Sequence, residues 1–257
     1  MSSTELRGAG SLTFRHTRHC AIAVLAVSIA LGFAFDTPAS AANCAPGTGR
    51  YVGAVKSEWL GNGRNMRLLA PFQYSDECGV NWIAPSGSVV NGASIPEYAW
   101  SIIGGPFEGK YRDASVVHDV ACEDMTRPWE QVHEMFFQAM LTSGVDRTMA
   151  NIMYSAVYYF GPRWPRKVVV ANLPAAQAPA ALDRALNGAV IGSRANITKA
   201  IPKRGANRNL DFEVKVTPPA PTLRIEDFDK LKAEIQRRAA DGSGGMSLEE
   251  IRNFKPN

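Results

Sequence analysis

Only two histidines stand beyond residue 41, His118 and His133, so any imidazole chemistry there must use them; His16 and His19 lie nearer the N-terminus. Asp119 follows His118 directly, and Cys122 comes four residues after it. On a helix, Cys122 shares a face with His118, while Asp119 points about a quarter-turn away. A turn centred midway between 118 and 133 would set the two imidazoles opposite each other in an antiparallel helical hairpin. A histidine next to an aspartate can serve as general base and cation ligand. Two facing imidazoles with Cys122 or Asp119 nearby are ligands for zinc or copper. The same residues can also be a buried hydrogen-bonded lock. These three readings stand side by side on the residues alone.

The elements that must position them are legible around the cluster. Arg112 to about Asp124 reads as a first helix, and Pro128 opens a second that runs to Ser143 and ends at Gly144. Arg147 to Phe160 is a third, stopped by Gly161-Pro162. Phe136, Met140 and Leu141, and then Ile152, Ala156, Val157 and Phe160, recur at helical spacing and belong to the core. Upstream, Tyr51–Val55, Arg67–Tyr74 and Val80–Ala84 are strand-like runs, and Asp76-Glu77-Cys78-Gly79 turns the last two into a hairpin. Asn91-Gly-Ala-Ser-Ile-Pro96 and Gly104–Gly109 are loops that lead into the first helix, with Gly92 suited to a positive φ. Ser94 fits a loop hydrogen-bonding role before Pro96. Glu123, Asp124 and Glu130 read as solvated charges near the turn.

The flanks have another character. Ala21–Phe35 is an uncharged apolar run of 15 residues, preceded by Arg7, Arg15 and Arg18 and followed by Ala39-Ser40-Ala41. It is too short to span a bilayer as a helix and reads as a secretory signal peptide over residues 1–41. The mature protein is then expected in the periplasm or outside the cell, without a transmembrane segment. Three cysteines remain, and in an oxidising compartment Cys44 and Cys78 are the expected pair, leaving Cys122 as the thiol.

The chain is 46% hydrophobic and 20% charged, ordinary for a folded protein. Its net charge of +4 is unevenly spread: residues 42–165 carry −3, residues 166–222 carry +6, and residues 223–257 balance. Neither the charge density nor any basic-aromatic interleaving fits nucleic acid. The basic extension suits an acidic partner or an anionic envelope surface. Asp211–Thr217 alternates like an edge strand; Pro218, Pro219 and Pro221 form a stiff hinge, and Ile225, Phe228, Leu231 and Ile235 stripe a final helix. Asp241-Gly242-Ser243-Gly244 with Glu250 imitates half of a calcium loop. Its first ligand position falls on Ala239, so it reads instead as a glycine-ended helix hairpin, with Ser247 and Glu250 as a capping box.

The blocks Asn91–Pro96, Gly105-Pro106 with Gly109-Lys110-Tyr111-Arg112, Val116-Val117-His118-Asp119 and Phe136-x-x-x-Met140 resemble the bacterial and phage family called domain of unknown function 1353, over about residues 50–165. A more distant resemblance is to bacterial and fungal secreted phospholipases of the A-two type, through the His-Asp helix and Tyr154–Gly161. That likeness implies His118 as base and Asp119 as calcium ligand. It also implies backbone carbonyls of the Gly104–Gly109 loop, at Gly105 and Gly109, completing the calcium site. His133 then stands where such a site carries its orienting carboxylate, Asn91 where an aspartate is usual, and Glu97 where a basic residue is.

The expected fold is α+β: a small antiparallel sheet, then a three-helix layer, a basic extension and a C-terminal helical tail. The divisions fall at 1–41, 45–165, 166–222 and 223–257. Two functions follow. One is an exported hydrolase-like protein acting on an ester or lipid, with His118 and His133 catalytic and calcium as cofactor. The other is a non-catalytic envelope or interaction protein with a structural or transition-metal histidine pair.

Overall fold

The computed structural model describes residues 47–62, 64–92, 107, 109–173, 196–204, 210–242 and 244–256. The expected signal peptide, Cys44, Ser94, Glu97, Gly104 and Gly105 lie outside the described residues. No helix among the described residues is long and apolar enough to cross a membrane.

The fold is α+β, with small antiparallel sheets and several helices. Strands β1 (Arg50–Val52), β4 (Phe72–Ser75) and β5 (Asn81–Ala84) form one sheet, in the order β1-β4-β5. Strands β2 (Ser57–Trp59), β3 (Met66–Leu68) and β6 (Val89–Val90) form another, in the order β2-β3-β6. The run 67–74, expected as one strand, is therefore two strands in different sheets. Pro71 lies at the break; lacking an N–H, it cannot continue a ladder. The Asp76–Gly79 hairpin turn is present. Asp76 ties it by accepting hydrogen bonds at Oδ1 from the N–H groups of Cys78 and Val80, and at Oδ2 from Trp82 Nε1.

The helices follow the sequence closely. A 3-10 turn at Gly109–Tyr111 leads into α1 (Arg112–Asp124), followed by α2 (Trp129–Thr142) and α3 (Arg147–Phe160). Pro128 is the N-cap of α2 rather than its first residue, and Asp146 caps α3 by accepting from the Met149 N–H. Helix α1 packs on α2, and α2 on α3. Phe72, Tyr74, Phe136, Phe137, Met140 and Tyr154 are among the fully buried side chains of the shared core. Two tyrosines fasten the first sheet to the end of α2. Tyr51 donates to the Ala139 carbonyl at 2.8 Å, and Tyr74 Oη lies 3.2 Å from Thr142 Oγ1.

Residues 166–217 contain a third antiparallel sheet of β7 (Arg166–Leu173), β8 (Asn196–Arg204) and β9 (Leu210–Thr217). The order is β7-β9-β8, so Asp211–Thr217 lies within the central strand rather than an edge one. The edge strand β8 carries Pro202, where a missing N–H costs least. The final helices, α4 (Phe228–Ala240) and α5 (Leu248–Arg252), both pack against α3. Leu231, Ile235 and Ile251 are fully buried in the same core as the hairpin. The carbonyl of Ile251 accepts from Tyr159 Oη at 2.7 Å, and that of Met246 accepts from Asn151 Nδ2 at 2.9 Å. The Ser247–Glu250 capping box forms as the sequence indicates.

One backbone feature governs the α1–α2 hairpin. Met125, the C-cap of α1, has φ 50° and ψ 24°, a left-handed conformation that costs a side-chain-bearing residue about 1–2 kcal/mol. Its side chain is largely exposed and contributes little packing in return. Met125→Gly is expected to stabilise the protein by about 0.5–1 kcal/mol, after the extra chain entropy of glycine is offset. Urea denaturation of the two proteins measures this; a loss of stability would show that Met125 contributes contacts beyond its backbone geometry.

Candidate functional site

Helices α1 and α2 bring four polar or reactive side chains into a region of nearly complete burial. His118 and His133 have no exposed surface, Asp119 is 2% exposed and Cys122 4%. The pairing follows from the hairpin: His118 Nε2 lies 2.9 Å from His133 Nδ1 across the α1–α2 contact. Cys122 Sγ, one turn along α1, is 3.6 Å from His118 Nε2 and 3.9 Å from its Nδ1. Cys122 is in no disulfide. Cys78 is disulfide-bonded, and Cys44, its expected partner, lies outside the described residues.

The tautomer of His133 is set by a group the sequence did not single out. Its Nε2 is 3.1 Å from the carbonyl of Pro162, and a carbonyl only accepts. His133 must therefore carry its proton on Nε2 and present a lone pair at Nδ1, toward which His118 Nε2–H donates. Burial, with the charge repulsion of a cationic His118 next, drives the His133 pKa well below the usual histidine value, so the ring is neutral near neutral pH. Gly161 makes this contact possible. A Cβ there would collide with the Val157 carbonyl, and the chain leaves α3 through this residue to place Pro162 over the imidazole. Aromatic rings close the pocket: Phe136 lies 4.5 Å from the His118 ring centroid, while Trp129 and Trp164 present edges to His133. Trp164 is itself fixed by donating Nε1–H to the Arg127 carbonyl.

Asp119 faces another way. Its Oδ2 accepts from the backbone N–H of Asn91 at 2.8 Å and of Gly92 at 2.6 Å. Asp119 Oδ2 thus anchors the Asn91-Gly92 segment after β6, while most of the Gly104–Gly109 loop it is expected to face lies outside the described residues. Two successive amides converge on one carboxylate oxygen, and Gly92 at φ 103° supplies the turn. Gly109, proposed as a carbonyl donor to calcium, begins the 3-10 turn before α1 at φ 68°. Glu130, read as solvated, is half-buried, and burial raises its carboxyl pKa despite Arg166, Arg163 and Arg252 nearby.

Sequence reasoning therefore found His118, Cys122 and His133 together. It missed the Pro162 carbonyl, the Asn91 and Gly92 amides, and the aromatic lid. The Gly161-Pro162 pair was a signal for the first, but only as a helix stop.

The depressed His133 pKa has a definite consequence for stability. Below about pH 6.5 the unfolded chain protonates this imidazole and the folded chain does not, so unfolding gains a proton. Stability is expected to be level in this respect above pH 6.5. It then falls with decreasing pH toward the folded-state pKa, by up to about 1.4 kcal/mol per pH unit. Urea denaturation in chelator across pH 4.5–7.5 should show this slope, and His133→Gln should flatten it; an equal slope in the variant would assign the effect elsewhere.

Residues 66–157 match a family model described as Protein of unknown function (DUF1353). That span runs from β3 into α3 and includes His118, Asp119, Cys122 and His133, but not Pro162. Two relatives are both from Sinorhizobium fredii (strain NBRC 101917 / NGR234). Uncharacterized protein y4jT is 45% identical over 105 residues, covering 41% of this chain and 31% of its own. Uncharacterized protein y4iH is 38% identical over 104 residues, covering 40% of this chain and 44% of its own. The chain thus spans less than half the length of these relatives. No solved structure matches. The resemblance to phospholipases finds no support in these matches.

Proposed function

We propose that this is an exported, non-catalytic protein of the cell envelope, whose His-Asp hairpin holds a binding domain together rather than performing hydrolysis. The observation that carries this reading is the use to which Asp119 is put. Its Oδ2 is engaged by two backbone amides of the 91–96 loop while His118, beside it, has no exposed surface. A general base must reach the proton it removes, directly or through one water. His118 Nε2–H is donated to His133, and that neutral orienting partner supplies no negative charge to stabilise an imidazolium.

Export is supported by the signal-like stretch at 21–41 and by the disulfide at Cys78, a bond that persists in oxidising compartments. The excess of positive charge in residues 166–222 supplies an attraction for an acidic or lipid component of the envelope. Asp119 then acts as a positioning residue for the loop that follows β6.

Asp119→Ala is expected to cost about 2–4 kcal/mol, because at least one buried amide loses a charge-assisted acceptor; Asp119→Asn should cost about half of that. Neither the native protein nor these variants should hydrolyse short-chain esters or phospholipid vesicles, with or without calcium. Calcium-dependent hydrolysis that vanishes in His118→Ala would restore the hydrolase reading and end this one.

A further inference from the structure

From the geometry of the same hairpin we infer a site for one late first-row transition ion of thiophilic character, zinc(II) or copper(I), held by His118 Nε2, Cys122 Sγ and His133 Nδ1. The inference rests on the sealed, non-catalytic reading of the hairpin. The three ligand atoms lie within 4.8 Å of one another, each from a buried residue. An ion bound at ordinary zinc distances to two imidazoles and a thiolate separates N from N by about 3.4 Å and N from S by about 3.6 Å. Cys122 Sγ lies 3.6 Å from His118 Nε2, the two ring nitrogens are 2.9 Å apart, and the remaining sulfur–nitrogen separation is within 4.8 Å. Opening the imidazole pair by about 0.5 Å, in place of its hydrogen bond, brings the nitrogen–nitrogen separation into range as well.

The surroundings suit an ion as well as the distances do. The Pro162 carbonyl already holds the proton of His133 on Nε2, which leaves Nδ1 as the ligand atom and supplies the outer partner that metal-bound imidazoles usually have. His118 and Cys122 are one turn apart on a single helix and His133 faces them from the next, so three donors converge from two rigid elements. The donor set is nitrogen and sulfur. Calcium and magnesium demand oxygen ligands, whereas thiolate and imidazole select zinc and copper. The aromatic walls of Phe136, Trp129 and Trp164 leave a dry shell in which a thiolate-bound ion is protected.

Proton balance follows. Binding releases one proton, from the Cys122 thiol. The Nε2 proton of His118 moves to Nδ1 of the same ring, exposing the Nε2 lone pair, and His133 keeps its proton.

The test uses the purified full chain with its disulfide intact, stripped by chelator. It is titrated separately with cobalt(II) as a spectroscopic stand-in for zinc, with zinc, and with copper(I) held reduced by ascorbate. The expected result is one ion per chain, a thiolate-to-cobalt charge-transfer band and a raised melting temperature. Competition between zinc and copper(I) then decides the ion. Cys122→Ser, which keeps size and helix, should abolish the charge-transfer band. It should also weaken binding by more than the ~10–100-fold that losing an outer partner costs. Melting of each variant in chelator confirms that it is folded, and His133→Gln provides a second check.

Absence of one-to-one binding by all three ions, or binding undiminished in both variants, overturns the inference. Ester hydrolysis is followed on the same samples. Its absence together with absence of binding removes the metal site and leaves the non-catalytic reading standing; its presence removes that reading instead.

Discussion

The contact between His118 and His133 is the constraint around which the molecule is arranged. Two imidazoles sit 2.9 Å apart with no access to water, so each nitrogen must be matched to a partner or leave a buried polar group unpaired. One proton lies between the rings. The next polar group along, the Pro162 carbonyl, determines on which side of His133 the other proton sits. This requirement reaches through three elements. Helix α1 must run antiparallel to α2, the turn at Met125 must be tight enough to keep the histidines level, and α3 must end where Gly161 can turn the chain back. The apolar packing of Phe136, Trp129 and Trp164 then supplies the dry environment that makes the constraint strict.

Asp119 extends the same logic to the sheets. It stands one residue from His118 and so projects from a different side of α1, where it gathers the Asn91 and Gly92 amides just after β6. The helix therefore connects the imidazole pair on one side with the Asn91-Gly92 segment after β6 on the other. Farther off, Arg252 on α5 donates to Glu134 at 2.9 Å and to Tyr154 at 2.7 Å, linking the C-terminal helix to both α2 and α3. The last helix is thus fastened to the element that carries His133.

Much of this was legible in the sequence, for reasons that differ by element. The first and third helices have the expected ends because their boundaries are local: Asp146 caps, and Gly161-Pro162 stops. The opposition of His118 and His133 follows from symmetry about a short turn. Less local features escaped. Pro71 splits an apolar run whose composition reads as one strand, and its two halves pair with different partners. Asp211–Thr217 looks like an edge strand by alternation, but its neighbours at 166–173 and 196–204 are fixed by pairings distant in sequence. The role of the Pro162 carbonyl and of the Asn91 and Gly92 amides depends on backbone, which no side-chain pattern records.

The central claim is that His133 is a sealed, neutral imidazole whose tautomer is dictated by the Pro162 carbonyl and which accepts from His118. Long-range nitrogen–proton correlation spectra of the metal-stripped protein, recorded near neutral pH, test it directly. The account predicts a neutral His133 ring with its proton on Nε2, in slow exchange with solvent. A cationic His133, or one protonated on Nδ1 and exchanging rapidly, would contradict it.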